Sequence, residues 1–162
     1  MLVVLGGLPG AGKTTIARRL AGAMGATYVR IDSIEQVLRN AGWKIEAEGY
    51  SVAHAVAEDN LRLGRVVVAD CVNPWPLTRS EWRSVADRAG VRAVDIEVVC
   101  SDADEHRRRV EARLPDIARH RLPTWSEVVE RDYRVWSDDR IVIDTARLDV
   151  DECVGTILSL LS

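Results

Sequence analysis

Residues Gly7-Leu8-Pro9-Gly10-Ala11-Gly12-Lys13-Thr14 follow the spacing G-x-x-x-x-G-K-[ST], which is suited to holding phosphate. Glycines let the backbone wrap closely around an anion with its N–H groups turned inward. A helix that begins inside the motif adds the positive end of its dipole. The Lys13 ammonium reaches the β- and γ-phosphates of a nucleoside triphosphate, and the Thr14 hydroxyl is a magnesium ligand. Gly7, Pro9, Gly10, Ala11, Gly12, Lys13, Thr14 and Thr15 are therefore the nucleotide-binding candidates. Of the 22 basic residues only Lys13 and Lys44 are lysines. A chain that otherwise uses arginine keeps a lysine where a compact ammonium is required.

Acids and an amide follow on the side where an acceptor would enter. Asp32 comes directly after the strand-like run Thr27–Ile31. There it can take the proton of an acceptor hydroxyl as the γ-phosphoryl group transfers, and it can also cap the helix that starts at that point. Asp70 ends the run Val66–Asp70, where a carboxylate orders the water shell of magnesium, so Thr14 and Asp70 are the metal candidates. Asn73 either binds substrate or makes an Asx-type turn before Pro74. Trp43 and Trp75 lie in loops and can line a substrate pocket, although in a chain with five Trp and no Phe they can equally serve as packing.

Arg107, Arg108, Arg109, Arg113, Arg119 and Arg121 crowd a short stretch. Arg109 and Arg113 share a helix face, and a guanidinium fork matches phosphate oxygens and neutralises charge in transfer. Arg107 and Arg108 read instead as a solvated surface paired with nearby acids such as Glu105 and Glu111. The long connection from Pro115 to Pro123 predicts a lid over about residues 106–123. His54, His106 and His120 show no ligand spacing and receive no role.

The elements that must position these groups alternate between short apolar runs and helical patterns, which predicts an α/β chain with a parallel sheet. Strands are expected over Leu2–Gly6, Thr27–Ile31, Val66–Asp70, Val91–Cys100 and Arg140–Asp144. Helices are expected over Lys13–Met24, Asp32–Asn40, Ser51–Leu63, Arg79–Ala89, Ala103–Arg113, Thr124–Tyr133 and Asp149–Leu161, with Thr124 and Glu127 forming a capping box. Five strands with helices between them fit one three-layer domain spanning 1–162.

Composition narrows the class. Forty-seven per cent apolar and 29% charged residues suit a globular chain with its own core. No apolar run approaches a membrane span, and no basic-then-apolar leader is present, so the expected setting is cytoplasmic. A net charge of −3 does not suit a protein that coats nucleic acid. Cys71, Cys100 and Cys153 are odd in number and lack metal spacing, which predicts reduced thiols.

Gly7–Thr15, Asp32, the run Val66 to Pro74, and Arg109 and Arg113 ahead of Leu122-Pro123 resemble the small P-loop kinases. The similarity runs to the AAA-type kinase group related to polynucleotide kinase, zeta toxin and chloramphenicol phosphotransferase, and covers residues 1 to about 145. The resemblance implies a P-loop NTPase fold with strand order 2-3-1-4-5, and magnesium-dependent transfer from ATP with Asp32 as base. It also implies that Asp144 and Thr145 lie near the adenine, with Arg140 nearby. Polynucleotide kinases carry an arginine three residues after the catalytic aspartate, where this chain has Glu35, a poor neighbour for a nucleic-acid 5′ end. The reading is a kinase for a hydroxyl on a small, uncharged or weakly charged molecule. A polynucleotide 5′-hydroxyl kinase and an acceptor-free ATPase or switch are its rivals.

Overall fold

The computed structural model describes residues 1–162. The first strand, β1 (Leu2–Gly6), is buried along its whole length. Leu2 and Val4 belong to one hydrophobic cluster, Val3 and Leu5 to the other. That division is what period-two side chains give when both faces of a sheet are covered, and it explains a strand that is apolar throughout.

The chain continues through α1 (Lys13–Met24), β2 (Thr27–Arg30), α2 (Ile31–Asn40), α3 (Glu48–Arg62), β3 (Val67–Asp70) and α4 (Pro76–Ala89). It ends with β4 (Ala93–Val99), α5 (Ala103–Ala112), α6 (Trp125–Val129), β5 (Ile141–Asp144) and α7 (Val150–Leu161). All five strands are parallel, in the order β2-β3-β1-β4-β5. Helices α1 and α7 cover one face with Ile16, Leu20 and Ile157; α3 and α4 cover the other with Ala53, Leu61 and Trp82. The three-layer P-loop architecture and its strand order are as the resemblance implied.

Several boundaries differ from their sequence-based positions, α3 among them, which starts at Glu48 rather than Ser51. Helix α4 starts at Pro76 rather than Arg79, because a proline at the first helical position needs no N–H partner. Helix α6 stops at Val129, although its Thr124–Glu127 capping box forms. Helix α2 begins at Ile31 with Arg30 at the N-cap position, so Asp32 sits in the first turn and is not the cap.

The sheet places the site. Strands β1, β2 and β3 end level with one another: Leu5 pairs with Asp70, and Arg30 pairs with Asp70. Parallel strands bring all their carboxyl ends to one edge, so the phosphate loop, Asp32 and Asp70 share it. No helix is long and apolar enough to cross a membrane. The thiols of Cys71, Cys100 and Cys153 are all free.

Candidate active site

The phosphate loop joins β1 to α1 through Gly7, Gly10 and Gly12, all at positive φ. Gly7, at φ 140°, lies against the carbonyl of Val98 on β4, where a Cβ would collide. Gly10 is covered by α5: a Cβ there would strike Val110 and His106. His106 is buried and its Nε2 stands 2.8 Å from the Pro9 carbonyl, with its ring edge-on to Trp125 at 5.2 Å. The first half of the expected lid is thus packed against the phosphate loop as part of α5. The irregular stretch begins at Arg113.

Lys13 is 8% exposed and donates to the Leu8 carbonyl at 2.9 Å. Burial lowers its pKa from the ordinary lysine value, against the opposing pull of Asp70 and Asp32. A cavity of about 1310 Å³ opens beside it. Pro9, Gly10, Gly12, Lys13, Thr14, Thr15, Asp32, Asp70, Trp75, Arg109 and Arg113 all line this cavity. Gly7 and Ala11 are buried behind the loop that lines it.

Asp70 is buried, and its Oδ2 accepts a 2.8 Å hydrogen bond from the Tyr28 hydroxyl. Burial, then the Asp70 charge, pushes the Tyr28 hydroxyl above its usual range, so it remains a donor. Thr14 and Asp70 suit magnesium, which takes one or two protein oxygens and completes its shell with phosphate oxygens and water. No group of three or more His, Cys, Asp or Glu side chains is arranged to hold a metal ion.

Other expected residues fall elsewhere. Asn73 is fully buried at φ 52°, its side chain packed near Gly6 and outside the cavity. Its N–H donates to the Tyr50 hydroxyl and its carbonyl accepts from Arg79, so it shapes the turn from within and is not positioned to touch a substrate. Trp43 is 60% exposed and does not line the cavity. Trp75 does, with its indole N–H donating to Asp132 at 3.0 Å. Asp144 accepts from the Ser101 hydroxyl and N–H and lies outside the cavity lining. Arg140 is tied to Glu97 on β4 at 2.6 Å and does not line the cavity. Thr145 packs its methyl against Gly12, and its hydroxyl donates to the Ala11 carbonyl while accepting from Arg109 at 2.8 Å. Arg107 and Arg108 pair with Glu111 and Glu105 on the helix surface. Arg109 shares Glu105 with Arg108, and the two hold that carboxyl down at about 2.

Glu35 is paired with Arg39 at 2.7 Å and packs on Gly49. Seven acidic side chains, from Asp32 to Glu127, face eight basic ones around the cavity. The mouth is balanced in charge rather than a basic groove.

Sequence reasoning passed over Asp116, in the loop after α5, and the Arg18 and Arg30 that hold it. Arg30 donates to its two carboxylate oxygens at 2.7 and 3.1 Å, and Arg18 donates to one of them at 2.7 Å. Arg113 stands 3.8 Å away. These bonds, Arg30 foremost, hold the Asp116 carboxyl well below the usual carboxylate range. Burial works against the charge on Arg30, but its bonds to Asp116 outweigh that and raise its pKa. The one available signal was an arginine ending a buried parallel strand, where apolar residues are the rule. Arg79 is a second buried arginine: it closes on the carbonyls of Asn73, Pro74, Arg134 and Val135 and lies over the Trp136 ring at 4.1 Å.

A family model described as an AAA domain matches residues 2–131. The "Probable adenylyl-sulfate kinase" of Aeropyrum pernix is 25% identical over 168 residues, spanning 99% of this chain and 91% of that protein. The APS kinase CysC of Mycobacterium tuberculosis, solved with AMPPNP and APS, matches with a TM-score of 0.75 at 20% identity over 99% of this chain and 96% of that one. A gluconokinase from Sinorhizobium meliloti matches with a TM-score of 0.64 at 18% identity, covering 98% and 91%. What is shared with these structures is the fold, that of the small P-loop kinases.

Proposed function

The chain belongs to the AAA domain family, and from that premise we propose that it transfers the γ-phosphate of ATP to a hydroxyl of a small molecule. The observation that carries this reading is one cavity onto which Lys13, Thr14, Asp32 and Asp70 all open. The loop amides and Lys13 grip the β- and γ-phosphates, with Gly7 and Ala11 shaping the loop from behind. Thr14 and Asp70 would hold magnesium, whose charge offsets that of the phosphates. Asp32 accepts the proton of the attacking hydroxyl. Arg109 and Arg113 neutralise charge that builds on the transferring group, and the segment 106–123 covers it, excluding water. Thr145, joined to Arg109 and to the Ala11 carbonyl, braces the phosphate loop and the arginine from outside the cavity. Trp75 supplies an apolar side for the acceptor.

The whole chain, 1–162, acts as one kinase domain, and its free thiols suit the cytoplasm. A polynucleotide acceptor is disfavoured by the balanced mouth, since phosphate backbones are drawn by excess positive charge. The test is ATP turnover with magnesium in the presence of single hydroxylated metabolites or 5′-hydroxyl oligonucleotides. Stimulation by a small molecule with matching phosphorylated product supports the reading. Stimulation by oligonucleotides alone, or hydrolysis that no acceptor accelerates, overturns it.

A further inference from the structure

The guanidinium of Arg30 lies under the lid loop, with only 3% of its side chain exposed. Its outer edge is closed by Asp116, and with that carboxylate in place it does not line the cavity. Its Nε is buried and has no hydrogen-bond partner, with Asp70 Oδ2 at 3.8 Å. Arg18 reaches the same Asp116 oxygen from α1, and Arg113 approaches from the end of α5. Guanidinium groups from three separate elements thus converge on a single carboxylate carried by an irregular loop.

Without Asp116 the buried guanidinium would keep only the carboxylates of Asp70 and Asp32, each 3.8 Å away, and its outer edge would lose both hydrogen bonds, which favours another anion in that place. The fork of Arg30 fits any planar or tetrahedral oxyanion that presents two oxygens. It also stands beside the proposed base: Arg30 Nη2 is 3.8 Å from Asp32 Oδ2. An oxyanion on Arg30 would therefore lie one guanidinium away from the carboxylate that receives the acceptor's proton.

We propose that Arg18, Arg30 and Arg113 form an oxyanion subsite for the phosphoryl acceptor, and that Asp116 is its built-in occupant, displaced when an acceptor bearing a carboxylate, phosphate or sulfate group enters. This deepens the kinase reading and rests on it for the word acceptor; the anion site itself does not require transfer. The acceptor class becomes a hydroxylated anion. The charge on Arg39-paired Glu35 does not oppose such an acceptor, because it is already compensated.

The experiment is calorimetric titration of acetate, inorganic phosphate and sulfate into the protein loaded with magnesium and a non-hydrolysable ATP analogue, so that the phosphate loop is filled. Removing the internal competitor in Asp116→Asn is expected to tighten binding of the preferred anion by at least about tenfold, the gain when more than nine-tenths of the sites were latched. Arg30→Gln is expected to weaken it in the Asp116→Asn background, and Arg18→Ala, a change on an exposed helix surface, is expected to do the same where Arg30→Gln does not fold. The anion with the largest gain separates a carboxylate from a phosphate or sulfate. Equal affinity in wild type and Asp116→Asn, or no dependence on Arg18, overturns the proposal. If the protein takes up no nucleotide but Asp116→Asn still gains anion affinity, the kinase reading fails while the oxyanion site stands.

Discussion

Arg30 and Asp116, 86 positions apart in the chain, are joined by two hydrogen bonds of 2.7 and 3.1 Å. The pair fastens the loop after α5 to the carboxyl end of β2, next to the residues that flank the phosphate loop. The strength of this tie depends on the charge state of one carboxylate.

That dependence has a sign. The Asp116 carboxyl is held below its ordinary range by Arg30 and Arg18, so its contribution to stability is complete above the unfolded value and disappears as pH falls through the folded one. Asp116→Asn is expected to lose about 1–3 kcal/mol of stability at pH 7. The gap between its urea midpoint and that of the wild type should close as the pH is taken below 4, a value near the ordinary Asp pKa of about 3.9. A gap that stays constant down to pH 2 would show that Asp116 is not the group that titrates.

Lys13→Ala should reduce acceptor phosphorylation by about 10²–10³-fold, the scale of losing one preorganised cation at the transferring group. Because burial penalises the ammonium, the fold should not suffer, and the Tm is expected at or above that of the wild type. Transfer assayed with labelled ATP, alongside thermal melting, reads both.

For Asp32→Asn the expected loss is about 10²–10⁴-fold in kcat with nucleotide affinity retained, as befits a proton acceptor rather than a binding group. The side chain is 38% exposed, so structural collapse does not explain a loss. Turnover within a few-fold of wild type would remove Asp32 from the base role.

Gly7→Ala should cost about 2–4 kcal/mol, since it combines a positive φ with a Cβ driven into the Val98 carbonyl. Gly25, at φ 60° with open space around it, marks the lower end: Gly25→Ala meets only the left-handed region, which a non-glycine residue can enter, and is expected to cost about 1 kcal/mol. Urea denaturation of the two variants measures the difference.

Where chemistry and local pattern coincide, the sequence was sufficient. The limits of β1 and α1, and the loop between them, follow from an apolar run, a glycine-rich turn and an amphipathic helix in immediate succession. Residues defined by contacts between distant segments were not legible. Arg79 has the same helical setting as Arg83, yet one is buried among four carbonyls while the other reaches Asp95 and Asp138 near the surface. Nothing in the spacing distinguishes them. Asn73 shows the same limit: an Asn before Pro is readable as a turn, but that Tyr50 and Arg79 take its backbone N–H and carbonyl and bury it is not. Tryptophan was ambiguous for the same reason. Trp82 and Trp136 are core while Trp43 is in solvent, and all three are equally apolar as letters.

The scarcity of lysine has a practical side. Lys44 has 90% of its side chain in solvent, whereas Lys13, 8% exposed, is reached only through the cavity it lines. An amine-acylating reagent thus meets one freely reactive lysine, the terminal amine and one sheltered lysine. Mass spectrometry of the intact chain then counts labels so few that each can be assigned. The extent of acylation at Lys13, normalised to Lys44 in the same molecule, becomes an internally calibrated gauge of how much of the protein has its phosphate loop filled.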